Sequence, residues 1–156
     1  MSNSRRVLLA ATALAVIGSA HAQTNDPAQL AAIMEAYAAA LRANDVEGLV
    51  VLYAANGVFM REDLPAVVGT EALRASYQKV FATLKVDLGF DIQEIETAGD
   101  LAWLRATSKG RIKTLATGVE ADESFNSLFV FRREGGTWKI RCYLYASNKP
   151  GTATPQ

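Results

Sequence analysis

Histidine is all but missing from this chain of 156 residues: the one copy is His21. It lies inside an N-terminal segment with the marks of an export leader, so the chain left after leader removal holds none. That excludes Ser-His and Cys-His nucleophile pairs, histidine general bases and histidine-ligated zinc or iron. Cysteine is equally scarce. Cys142 alone cannot form an intrachain disulfide, so in an oxidising compartment the fold must stand on its core. Cys142 sits among strand-type residues and reads as a buried, inert thiol, since a catalytic thiol needs a neighbouring base. There is no phosphate loop, no dinucleotide fingerprint and no metal-ligand spacing. No cofactor and no metal are therefore expected.

A long membrane-spanning run is missing too. Val7 to Ile17 is apolar, but too short to cross a bilayer as a stable helix. With Arg5-Arg6 before it and Ala20-His21-Ala22 after it, it has the pattern of a secretory signal peptide, residues 1–22, with cleavage expected after Ala22. Position 23 is Gln, so no cysteine follows the cleavage site to carry a lipid. A periplasmic or secreted protein with no membrane attachment is expected. Cleavage removes two basic residues and no acid, which leaves 14 basic against 16 acidic. No basic face gathers for a nucleic acid. Arg132-Arg133, beside a turn, reads as solvated.

What remains is one domain, 23–148, with a tail at 149–156 expected to be disordered. Asp26-Pro27 starts a helix, Asp26 as the capping acceptor. Leu30, Ile33, Met34, Tyr37, Ala38 and Leu41 then repeat at helical spacing. Asn44-Asp45 breaks that helix and caps a short one bearing Leu49, Leu52 and Tyr53. Asn56-Gly57 reads as a turn into the strand Val58-Phe59-Met60. A loop containing Pro65 leads to a third helix with Leu73, Tyr77, Val80, Phe81 and Leu84 on its buried side. Val86, Leu88, Phe90 and Ile92 alternate with polar residues, which is the period of a half-buried strand. Three more long strands follow, divided at Gly99-Asp100, Thr117-Gly118 and Gly135-Gly136. Three early helices and a strand meander make an α+β domain. The later strands carry apolar residues on both alternations, Leu128, Phe129, Val130 and Phe131 among them. That is more than a one-sided sheet needs, and a homodimer packed through the outer sheet face is expected.

The order and spacing of several segments resemble the nuclear-transport-factor-two-like superfamily, and within it the SnoaL-like, SgcJ/EcaC-type bacterial group. The segments are Asn44-Asp45, Leu52-Tyr53-Ala54, Val68-Gly69 before Glu71-Ala72-Leu73, Gly99 to Trp103, Leu128 to Arg132, and Gly136 to Ile140. The resemblance implies a cystatin-like cone: three N-terminal helices on a curved, mainly antiparallel sheet around a pocket. It implies no single activity, because such folds host enzymes, binding modules and assembly domains alike. Ketosteroid isomerase belongs to the same superfamily. Its residues carry over to Tyr37 for the oxyanion tyrosine, Arg61 for the carboxylate base and Leu128 for the protonated acid. Arginine takes up no proton at neutral pH and leucine donates no hydrogen bond, so only Glu62 or Asp63, one or two positions on, would serve as base.

The candidate site follows from that cone. Tyr37, Tyr53 and Tyr77 are either core tyrosines with satisfied hydroxyls or donors to a ligand. Arg61 either pairs with Glu62 or Asp63 at the surface or clamps a ligand carboxylate. Arg105 shares an alternation with Trp103, and Asn126 shares one with Leu128, the position expected to face the pocket. Asn126 is therefore an expected internal polar group, with Tyr145 closing the same cavity. The expected function is binding of a small, largely apolar ligand. The alternatives are a cofactor-independent isomerase or cyclase using Tyr37 with Glu62 or Asp63, and a non-catalytic dimeric assembly module.

Overall fold

The computed structural model describes residues 25–149. The expected leader and nearly all of the expected tail lie outside them. Lys149 does not: its ammonium meets Glu123 Oε2 at 2.9 Å.

Helix α1 (Asp26–Ala43) buries Leu30, Met34, Tyr37, Ala38 and Leu41, the apolar stripe read from the sequence. Its start differs from expectation. Asn25 occupies the N-cap position and makes no side-chain cap bond. Asp26 is instead only 4% exposed, and its Oδ1 accepts from Trp138 Nε1 at 3.0 Å and from Arg133 Nη2 at 2.6 Å. The Arg133 guanidinium lies 4.4 Å from the Trp138 ring centroid. Arg133 is thus a half-buried tie between the first helical turn and the last hairpin, where the sequence predicts a solvated cation. A buried carboxylate needs a cation and donors to offset its desolvation, and these two residues supply them.

Asn44 ends α1 in the left-handed conformation, φ 54°. The Asp45 side chain then accepts from Gly48 N at 2.9 Å and caps α2 (Val46–Val50). Helix α3 (Thr70–Thr83) follows β1 (Tyr53–Met60) and the two-residue β2 (Val67–Val68). Four long strands complete the chain: β3 (Leu84–Ala98), β4 (Leu101–Thr114), β5 (Glu120–Glu134) and β6 (Thr137–Ser147).

The strands form one curved six-stranded sheet in the order β2-β1-β6-β5-β4-β3. All neighbours are antiparallel except β1 and β6. The sequence places a turn at Asn56-Gly57; the chain there stays within β1, and the β1–β6 register slips between Tyr53 and Val58. Glycine fits because a Cβ at Gly57 would stand 2.8 Å from the Tyr53 ring. Gly110 (φ 152°) allows β4 to close on β3, where a Cβ would strike the Asp87 carbonyl. Irregularities between Ile92 and Glu94 and between Val130 and Phe131 bend the sheet further.

Helices cover the concave face. Val86, Leu88, Leu104, Ala106, Phe129, Phe131, Ile140 and Tyr143 point into it and form the core with the helix stripes. The other face carries Trp103, Arg105, Asn126, Leu128 and Leu144, and this corrects the expected phase of β4 and β5. Leu128 is 39% exposed, while its neighbours Ser127 and Phe129 are buried. Asn126 is exposed, and Arg105 pairs with Glu94 at 3.3 Å on the outer surface. With apolar residues on both alternations of β5, hydropathy leaves its phase open. The register sets it: Leu104 opposite Phe129 and Ala106 opposite Ser127 place the small and aromatic residues inside.

Candidate functional site

Between α1, α3 and the concave face lies a cavity of about 120 Å³. Tyr37 and Leu41 enter it from α1, Tyr77 and Val80 from α3, and Phe59 and Arg61 from the end of β1. The sheet adds Leu84, Val86 and Leu88 from β3, Ile112 from β4, Phe125 from β5, and Tyr143 and Tyr145 from β6. The lining is apolar apart from the tyrosine hydroxyls and one charge, Arg61. Among the described residues it contains no carboxylate.

Strand alternation and helical spacing build the aromatic wall. Phe59 stacks on Tyr77 at 5.4 Å and on Tyr143 at 5.3 Å, with interplanar angles of 13° and 18°. Tyr143 stacks in turn on its cross-strand partner Phe129 at 3.9 Å. Tyr37 meets Phe129 and Tyr143 edge-on.

Three phenols converge at the floor. Tyr77 Oη is 2.5 Å from Tyr37 Oη and 2.8 Å from Tyr53 Oη, and Tyr37 and Tyr53 are 3.4 Å apart. Each hydroxyl has one proton and two lone pairs, so a ring of three satisfies every donor without a carboxylate or backbone partner. Tyr37 and Tyr77 face the cavity as well; Tyr53 does not line it. Burial pushes all three phenols above the usual tyrosine range, which keeps them neutral donors. Behind the wall, Ser127 Oγ lies 3.1 Å from Ser108 Oγ and 3.4 Å from Tyr143 Oη, which satisfies the polar atoms of that layer.

At the rim, Arg61 makes no ion pair with any described residue, Glu62 and Asp63 included. Its Nε is buried and has no hydrogen-bond partner, and its guanidinium lies 5.5 Å from the Phe59 ring centroid. Burial raises the Tyr145 phenol above the ordinary tyrosine value, with the Arg61 charge opposing the rise. The two carboxylates expected as bases are elsewhere. Glu62 Oε2 accepts from Ser147 N at 2.7 Å, which fastens the loop to the end of β6. Asp63 occupies a left-handed turn position, φ 58°, and is exposed.

Of the residues singled out from the sequence, Tyr37, Arg61, Tyr77 and Tyr145 gather on this cavity, and Tyr53 supports two of them from behind. Trp103, Arg105 and Asn126 sit across the sheet. Phe59, Phe125 and Tyr143 belong to the site and were not singled out. Tyr143 shares the alternation of Tyr145, and that spacing was the signal available. Among the described residues, no three His, Cys, Asp or Glu side chains form a set able to hold a metal ion.

Solved structures of several bacterial proteins share this architecture. A ketosteroid isomerase-like protein from Erwinia carotovora atroseptica is 29% identical, with TM-score 0.76, over 81% of this chain and 99% of that one. A conserved protein from Planctomyces limnophilus is 18% identical, with TM-score 0.71, over 78% of this chain and 97% of that one. A nuclear-transport-factor-two-like protein with a cystatin-like fold from Novosphingobium aromaticivorans is 17% identical, with TM-score 0.63, over 82% of this chain and 85% of that one. No curated protein matches the sequence. The profile of the SnoaL-like domain matches residues 34–141, more than half of the chain, and the chain belongs to the SnoaL-like domain family.

Proposed function

We propose that this protein binds a small, largely apolar molecule in the cone cavity, with Tyr37, Arg61 and Tyr145 as its polar contacts. The observation that carries this reading is an apolar chamber bordered by one buried donor with no partner, Arg61 Nε. Such a donor costs free energy until something accepts from it. Sites for small molecules have this composition, mostly apolar walls with a few placed polar groups. The proposal extends to location and assembly: an exported protein, cleaved after Ala22, that dimerises through the outer sheet face.

An isomerase- or cyclase-type reaction is the second reading. The buried phenols favour it: opening the 3.4 Å Tyr37–Tyr53 contact lets Tyr53 donate to Tyr77, Tyr77 to Tyr37, and Tyr37 to an oxyanion in the cavity, and so does the similarity to an isomerase-like protein. It needs a base, and neither Glu62 nor Asp63 lines the cavity.

Native mass spectrometry of the protein purified from its own host tests the binding reading. A retained small molecule supports it. Recovery of empty protein only, with no thermal shift across a panel of apolar acids and sterols, overturns it.

A further inference from the structure

We infer that the ligand of this cavity is a single-ring aromatic carboxylate, its ring against the Phe59–Tyr77–Tyr143 wall and its acid group on Arg61. This rests on the binding reading above and narrows it by size, by shape and by charge.

Size comes first. The cavity holds about 120 Å³. An engineered apolar cavity of about 150 Å³ takes one benzene, and sites for drug-sized molecules begin at about 300 Å³. The chamber is at the scale of a single ring, so an acid arm has to lie outside it, at the rim beside Arg61. A four-ring skeleton does not.

Shape favours a flat molecule. Phe59, Tyr77 and Tyr143 present nearly parallel rings, while Phe125 and Tyr145 meet at 67° with centroids 5.0 Å apart. Aromatic rings offer such surroundings both a face and an edge to pack against.

Charge decides the head group. Among the described residues, Arg61 is the only ionised side chain of the lining, and no acid lies within ion-pair distance of it. Glu62, the adjacent carboxylate, is turned aside to the Ser147 amide. A neutral head would leave a full positive charge beside an apolar chamber, and an ammonium head would be repelled. A carboxylate accepts from the unpartnered Nε and from a second guanidinium N–H, which is the fork geometry arginine offers. Tyr145 borders the same rim and can donate to the remaining lone pair.

Calorimetric titration with four probes tests the inference: phenylacetate, its neutral isostere phenylacetamide, the cation benzylamine, and a four-ring bile acid. Phenylacetate is expected to bind at least about tenfold more tightly than phenylacetamide, the order of one charge-assisted contact. Benzylamine and the bile acid are expected to bind more weakly still. Arg61→Gln is expected to bring phenylacetate down to the level of phenylacetamide, with an unfolding curve of unchanged shape confirming that the variant folds. Equal or tighter binding of the amide or the amine overturns the carboxylate assignment and leaves the binding reading standing. Tighter binding of the bile acid overturns the single-ring assignment. A phenylacetate preference that survives Arg61→Gln overturns the role given to Arg61. No binding by any probe removes the inference, and with the mass spectrometry above it removes the binding reading as well. The wild-type comparison needs no variant, so the inference stays exposed even if the substitution unfolds the protein.

Discussion

Tyr37 on α1 and Tyr77 on α3 share a hydrogen bond of 2.5 Å between their phenol oxygens, and Tyr53 on β1 closes the ring at 2.8 Å from Tyr77. The two helices that roof the cavity are thereby joined through its floor. Both short contacts involve Tyr77, since Tyr37 and Tyr53 are 3.4 Å apart. Tyr77→Phe is therefore expected to cost the most of the three phenylalanine substitutions, about 1–3 kcal/mol, because it leaves a buried donor without an acceptor. Urea unfolding of the three variants checks the order. A smaller loss for Tyr77→Phe than for Tyr37→Phe or Tyr53→Phe contradicts the ring.

The same phenols set an alkaline limit. Burial raises Tyr37, Tyr53, Tyr77 and Tyr143 in the folded protein above the ordinary value of 10.0. Below pH 10 both folded and unfolded forms keep these protons, and stability does not depend on them. Above it the unfolded chain releases protons that the folded chain holds, so stability falls as pH rises. Unfolding and tyrosinate absorbance are expected to appear together in one steep step above pH 10. Titration of all the tyrosines in a still-folded protein would contradict this.

The Asp26 cluster ties the start of α1 to the β5–β6 hairpin. Asp26→Ala removes the acceptor of both Arg133 and Trp138 and is expected to cost about 3 kcal/mol, the range for breaking one side of a buried pair. Asp26→Asn keeps an acceptor for Trp138 and is expected to cost less. Thermal unfolding of the two variants checks the order, and tryptophan fluorescence reports the loosening around Trp138.

On the outer sheet face, Trp103, Leu128 and Val130 border a shallow apolar hollow, and Leu144 is exposed beside Leu128 on the adjoining strand. If two copies meet there, Leu128→Glu buries a charge in the interface and is expected to yield a monomer by size-exclusion chromatography with light scattering. A wild-type monomer at micromolar concentration removes the dimer.

Much of the helical layer was legible from the chain. The α1 stripe from Leu30 to Leu41 buries as its spacing predicts, because an 18-residue helix with one apolar face has one way to sit on a sheet. Gly99-Asp100 and Gly135-Gly136 lie between paired strands, as their turn chemistry predicts. The phase of β5 was not legible. Period two separates two faces only when one is polar, and Leu128 to Phe131 are apolar on both. Asn126 thus looked internal, while the buried polar groups of β4 and β5 are Ser108 and Ser127, whose small hydroxyls satisfy each other.

The sequence by itself determined the class of fold, the order of its helices and long strands and the tyrosines of the two roofing helices, because these depend on composition and local periodicity. Tertiary structure alone decided which side of each strand faces the cavity, that three phenols satisfy one another, that Glu62 is spent on the Ser147 amide and that Arg61 keeps a buried donor without a partner. Those outcomes rest on strand register and on distances between residues up to 85 positions apart, which no local pattern encodes.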